Sequence, residues 1–238
     1  MGVSLIDSAA TFASARSSLY VPDRTIGMLH ETFYRTGRVL RNTVDRATPN
    51  VPIGTPVVGA LSTVVTTLAA GGNGYDTAKA ASSAAVTFAL LMKRPSSGTQ
   101  GGLLMNGAAN YLGLYWSTGG NFRFYNSQTS VTSPGGDLAA PASTDFIFVM
   151  GWGNVSDYGL VQYGTGGALS SLGTNTTLGQ ATRSTSANVK LGGSSVSGSL
   201  VWEAAWSAVF NAVLTTPQRL ALYQEVRAAA AKEGIVVL

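Results

Sequence analysis

Tyr111-Leu112-Gly113-Leu114-Tyr115-Trp116-Ser117 and Asn121-Phe122-Arg123-Phe124-Tyr125-Asn126 are joined by Thr118-Gly119-Gly120, and the fold can be read outward from this stretch. Two aromatic and aliphatic runs alternate about a short turn in which glycine permits positive φ, which predicts a β-hairpin. Setting the turn at 118–120 places Trp116 opposite Phe122 and Leu114 opposite Phe124, so that face is apolar and directed to a core. The opposite face carries Tyr111, Tyr115, Arg123 and Tyr125.

Runs of the same kind continue on both sides. Strands are expected at 57–67, 84–93, 145–151, 158–163, 188–191 and 199–210, separated by Gly, Ser and Asn clusters at the spacing of a sandwich or barrel. Turn-formers such as Gly71-Gly72-Asn73-Gly74 and Gly164-Thr165-Gly166-Gly167 lie between them. Phe146-Ile147-Phe148-Val149-Met150 is apolar at every position, which predicts a central strand covered on both faces. In 199–210 Leu200, Trp202, Ala204, Trp206, Ala208 and Phe210 alternate with Val201, Glu203, Ala205 and Ser207, predicting one inward face. Thr216 as N-cap, Pro217 at the first helical position and Gly234 after Lys232 predict a helix over 216–232. Leu220, Tyr223, Val226 and Arg227 supply a stripe for packing on the sandwich edge.

The 238 residues suffice for one well-buried sandwich with an N-terminal extension. Only 11% are charged, against roughly a quarter in ordinary soluble domains, while 29 glycines and many small residues fill the chain. Residues 1–55 show no lasting periodicity. Pro22, Pro49, Pro52 and Pro56, four of the eight prolines, punctuate this segment and its margin. It is read as an extended arm for assembly, with Arg35, Arg38, Arg41 and Arg46 as its contact residues. Residues 56–238 are read as the sandwich with its helix. Glu31 and Asp45 interrupt the arginines, and no lysine run or stacking platform accompanies them, so no nucleic-acid partner is expected.

The chain has no cysteine, which excludes thiol nucleophiles, disulfides and thiolate metal sites. The apolar stretches 57–70 and 84–92 are too short and too Thr-rich to span a bilayer as helices. Residues 1–10 lack a basic stretch followed by an apolar run, so no secretory signal is expected, and Ile6 breaks the myristoylation pattern.

Val189-Lys190-Leu191-Gly192-Gly193, Gly198-Ser199-Leu200, Ala204-Ala205-Trp206 and Leu214-Thr215-Thr216-Pro217-Gln218-Arg219-Leu220 together resemble the closing segment of concanavalin A-like, laminin G-like jelly rolls. There a Leu-Gly-Gly hairpin precedes a long strand, and a short linker opens a helix; Gln218 stands where an acidic residue is usual. The resemblance covers residues 57–238 and implies an all-β antiparallel sandwich. Such domains behind an arm are common in tailed-bacteriophage virion proteins, and the cysteine-free, Gly/Ser/Thr/Ala-rich composition is similar to theirs.

Glucanases of that superfamily carry Glu-x-Asp-x-Glu on one strand, with carboxylates flanking the scissile bond. That motif is missing, and Glu203 is a lone acid on its strand. His30, the only histidine, has no nucleophile-elbow pattern to serve. The chain is therefore expected not to be an enzyme. Asn154 and Asp157 could offer two oxygen ligands to calcium, and no other cofactor is expected. Asn154-Val155-Ser156 and Asn175-Thr176-Thr177 match the glycosylation acceptor pattern. The tyrosine-rich hairpin face could stack on sugar rings, with Asn121 and Arg123 satisfying hydroxyls. The same tyrosines could equally pack beneath the helix or the arm.

Three functions are weighed. The leading one is a virion structural protein of tail, baseplate, fibre or capsid, homo-oligomeric and docked on other virion proteins, whose lectin-like domain contacts host polysaccharide. The others are a stand-alone carbohydrate-binding module and a polysaccharide hydrolase.

Overall fold

The computed structural model describes residues 27–68, 71–81, 85–106, 112–126, 138–154, 158–164, 169–172, 187–194 and 198–238. In chain order the strands begin with β1 (Met28–Phe33), β2 (Val51–Ile53), β3 (Val57–Val58), β4 (Thr63–Leu68), β5 (Gly74–Ala80) and β6 (Ala85–Met92). They continue with β7 (Ser97–Gly98), β8 (Gly101–Asn106), β9 (Leu112–Ser117), β10 (Asn121–Asn126) and β11 (Leu138–Ala139). The last are β12 (Ile147–Asn154), β13 (Tyr158–Tyr163), β14 (Leu169–Leu172), β15 (Asn188–Ser194) and β16 (Ser199–Phe210), followed by α1 (Thr216–Lys232).

These strands make two antiparallel layers. One runs β11-β10-β9-β8-β15-β5-β2. The other runs β14-β13-β12-β6-β16, and the far edge of β16 takes β4 along its first half and β1 along its second. A short parallel contact between β15 and β4 at Gly193 and Ser194 stitches the layers together. The all-β sandwich expected from the strand spacing is the observed architecture.

Its core is double. Between the layers lie Phe88, Leu90, Leu114, Trp116, Phe122, Phe124, Ile147, Val149 and Trp202. A second cluster lies on the outer face of the β16 layer, where Phe148, Met150, Tyr163, Trp206 and Phe210 meet Leu222, Tyr223 and Val226 of α1. The helix therefore covers a sheet face rather than the edge expected. β12 is apolar at successive positions because Ile147 and Val149 serve the first core while Phe148 and Met150 serve the second.

β16 departs from its expected alternation. A register shift between Ala204 and Trp206 inserts one residue against β6. Leu200, Trp202 and Ala204 point between the layers, but Trp206, Ala208 and Phe210 point at the helix. One extra residue flips every later side chain, as a bulge must in a strand of period two. α1 spans the expected residues, but its N-cap is Thr215 rather than Thr216, and Gln218 closes a capping box by accepting the Thr215 backbone N–H at 2.8 Å.

Residues 27–55, read from the sequence as part of the arm, are paired into the sandwich. β1 pairs with β16, Tyr34 is wholly buried, and β2 pairs with β5, so residues 27–55 belong to the sandwich rather than to an arm. Polar residues hold this segment in place. The His30 Nε2–H donates to Asn50 Oδ1 at 2.8 Å, Asn50 Nδ2 donates to the Val39 carbonyl at 2.8 Å, and the Tyr34 and Ser207 hydroxyls bond at 2.8 Å. Trp206 Nε1 donates to Glu31 at 3.1 Å. Arg35, expected to face a partner, makes a two-pronged ion pair with Glu233 just past α1, with Nη2 to Oε1 at 2.6 Å.

Close packing in the first core leaves no room at Gly151 of β12. A Cβ there would stand 2.2 Å from the Phe124 ring. Gly151→Ala should cost about 1–3 kcal/mol in chemical denaturation, as overpacking does, and Phe124→Leu in the same chain should recover part of that loss.

Desolvation holds the buried His30 imidazole down to about 4 from an ordinary 6.5, although the bond it donates to Asn50 opposes the shift. Between those two values the unfolded chain takes up a proton that the folded chain refuses, so stability falls as pH drops from 6.5 to 4 and levels off below. The full effect is about 3 kcal/mol. Denaturation midpoints across this range should show it, and His30→Gln should flatten the profile. The surface Asp45, held at about 2 by Lys79, titrates below this window.

Candidate functional site

The β9–β10 hairpin forms in the expected register: Trp116 opposes Phe122, Leu114 opposes Phe124 and Tyr115 opposes Arg123. Trp116 and Phe122 meet edge to face with centroids 5.2 Å apart. Asn121 begins β10 beside Ser117 and Ala139. Tyr125 opposes Gly113. Tyr111 lies outside the described residues.

At Tyr115 the outer face of the hairpin is closed. Tyr115 keeps only 5% of its surface, and Met105 on the neighbouring β8 keeps 1%. Neither Tyr115 nor Arg123 is free of partners within the chain. A ring buried to that degree contributes an edge at most, whereas stacking on a sugar needs a face.

The open polar surface lies round the turn of the same hairpin. Two hollows of about 430 and 260 Å³ meet there and share Arg94 and Pro95. The larger runs along β16 over Val201 and Glu203 to Ser143 and Thr144; the smaller reaches Thr99 and Thr118. The floor is stitched to β16 by backbone bonds, Ser96 N–H to the Val201 carbonyl at 2.8 Å and Thr99 N–H to the Ser199 carbonyl at 3.2 Å. Glu203 is neutralised in place: it accepts from the Ser62 hydroxyl at 2.7 Å and lies 3.2 Å from Lys93 Nζ. Lys93 also sits over the Phe146 ring, 5.1 Å from its centroid. Arg94 is exposed, with its guanidinium 5.7 Å from the Trp116 ring centroid. Lys93-Arg94 is the one adjacent basic pair in the sequence, followed by Pro95 and the Ser-rich 96–99. The pair stands out in the amino-acid sequence, but nothing local ties it to the hairpin turn.

The remaining candidates disperse. Asn154 closes β12 and has a partner within the chain, while Asp157 lies outside the described residues. Among the described residues no cluster of three His, Asp or Glu could hold a metal ion. Arg38 also has a partner. Arg41 and Arg46 are exposed and flank a third hollow of about 330 Å³ with Leu40 and Pro49. No described helix is long and apolar enough to cross a membrane.

No protein-family model matches the chain, and no curated protein matches its sequence. Solved structures share its fold. A botulinum neurotoxin type C structure, a protein that interacts with two ganglioside molecules, aligns with TM-score 0.60 and 8% identity over 86% of this chain and 52% of its own. A Trypanosoma rangeli sialidase mutant displaying trans-sialidase activity aligns with TM-score 0.60 and 12% identity over 95% of this chain and 39% of its own. The binding domain of botulinum neurotoxin DC, in complex with SialylT, aligns with TM-score 0.55 and 8% identity over 88% and 52%. The chain thus spans about half the length of the toxin chains and two fifths of the sialidase. With the observed topology these likenesses define the fold as a lectin-like β-sandwich.

Tyr115 should behave as a packing residue. Tyr115→Ala is expected to lower the thermal midpoint by several degrees, the equivalent of about 2–4 kcal/mol, where a true surface platform would leave it unchanged.

Proposed function

We propose that this chain is a non-enzymatic structural protein of a bacteriophage virion, in tail, baseplate, fibre or capsid decoration, displaying a lectin-like domain that contacts glycans on the host surface. The observation that carries the glycan half is the polar hollow at the hairpin turn, set on a lectin-like sandwich. Its hydroxyl and cationic groups stand on a floor fixed by β16, which suits a ligand of many hydroxyls. The fold is shared with a botulinum neurotoxin that interacts with two ganglioside molecules and with a neurotoxin binding domain in complex with SialylT. Catalysis has no part in this reading, because Glu203 is tied to Ser62 and Lys93 and has no second carboxylate on its strand.

The assembly half rests on the segment from residue 40 to 61. Leu40, Val44, Val51, Val57, Val58 and Leu61 are the large apolar side chains left exposed there, and Val51 and Val57 keep 54% and 66% of their surface. β2 and β3 lie at sheet edges, and Arg41 and Arg46 add positive charge beside them. Exposed apolar edge strands are ready to pair with another chain, here a neighbouring virion subunit. Among the described residues, Arg41 and Arg46 are the part of the expected assembly set that remains available.

Two measurements test this reading together. Mass spectrometry of purified particles should find the chain, and the isolated protein should self-associate in sedimentation, with Val51→Asp and Val57→Asp shifting it towards monomer. A free monomer missing from particles would contradict the structural role. A glycan array showing no binding would contradict the contact role, and binding by a monomer would leave a stand-alone carbohydrate-binding module.

A further inference from the structure

We infer that the hollow at the hairpin turn takes an acidic saccharide, with the sugar carboxylate seated on Arg94. This deepens the glycan-contact reading and rests on it. Of the two cations at the site, Lys93 already faces Glu203 at 3.2 Å. Among the described residues Arg94 has no ion-pair partner, and it stands where the two hollows meet. A guanidinium with no ion pair among the described residues, standing where a polar hollow meets a larger and more apolar one, suits a planar anion, because its fork of donors matches a carboxylate in two parallel bonds.

The guanidinium is also held ready. It lies over Trp116, which is 4% exposed and locked edge to face against Phe122. The cation gains from the ring face while its donors remain open at the rim. Gly120 serves two needs at once. Its φ of +76° suits glycine in the turn, and a Cβ there would stand 2.8 Å from Arg94 Nη2. The turn therefore leaves the guanidinium its space. Ser96 and Thr99 lie within the same hollows, on backbone pinned to β16. The Thr99 hydroxyl can donate to a sugar oxygen, while the Ser96 hydroxyl donates to the Val201 carbonyl at 3.2 Å and so can accept from a sugar hydroxyl.

The binding energy would come from few groups with little rearrangement, since cation, ring and floor are already in place. A neutral sugar would meet the same hydroxyls but leave the Arg94 charge unanswered. Selectivity for acidic over neutral ligands is the consequence.

The experiment is calorimetric titration of the whole chain with a galacturonic acid oligomer, 3′-sialyllactose, lactose and a sulfated disaccharide. The expected result is binding of one or both carboxylate sugars, weakened about tenfold or more in Arg94→Gln, as for loss of a charge-assisted pair. The charge-matched control Lys232→Gln, at the exposed end of α1, should leave affinity unchanged. Gly120→Ala should weaken binding as well, with thermal melts confirming that each variant is folded. Binding of lactose as tight as that of the acidic sugars, or acidic binding unmoved by Arg94→Gln, would overturn the site while leaving the broader glycan reading intact. Preference for the sulfated probe over both carboxylates would overturn the carboxylate assignment. Binding of none of the four would overturn the site, and silence across a wide glycan array would overturn the broader reading with it.

Discussion

The structure depends on what one strand does at Ala204 and Ala205. β16 is bonded to β4 and β1 on one side and to β6 and β7 on the other, and it must face two different cores along its length. The bulge solves this by turning the strand over halfway. Trp202 closes the space between the layers, with its indole N–H 3.3 Å from the Thr67 hydroxyl. Trp206 stacks on Phe148 at 5.7 Å on the other face, where Phe148 also meets Tyr223 and Tyr223 stacks on Tyr163 at 4.7 Å. Without the extra residue Trp206 would compete with Trp202 for the first core and α1 would lose the floor on which it rests.

The same strand supports the candidate site. Its first half carries Val201 and Glu203 along the larger hollow and holds the 96–99 loop by backbone bonds. Its second half anchors β1 and, through it, the buried polar network of His30, Thr32 and Asn50. Fold and site are therefore not separable modules. The rigidity at Arg94 comes from a hairpin and a strand whose positions the two hydrophobic cores determine.

Much of this architecture can be read from the sequence, because most strands advertise themselves by alternation. The hairpin at 112–126 and the doubly apolar β12 are legible residue by residue. β1 is not: burying His30, Glu31 and Thr32 looks unfavourable until the partners Asn50, Thr43 and Trp206 are brought in from further along the chain. β8 is hidden by its opening glycines, and the bulge in β16 has no local signature, since Ala204-Ala205 reads as ordinary alternation. The site is legible only in part. Tyr115 and Arg123 do share a face, but exposure depends on neighbours that periodicity does not name. Lys93-Arg94 is visible as a basic pair, yet its placement over Trp116 is a tertiary fact.

A chemical-shift titration of the isotopically labelled whole chain with 3′-sialyllactose and a galacturonic acid oligomer separates the two faces of the hairpin most directly. Ligand-induced shifts should gather at Arg94, Thr99, Gly120 and the Trp116 indole, while Tyr115 and Arg123 stay quiet. Shifts gathered on Tyr115 and Arg123, with Arg94 and Gly120 unmoved, would contradict the account and return the site to the tyrosine face.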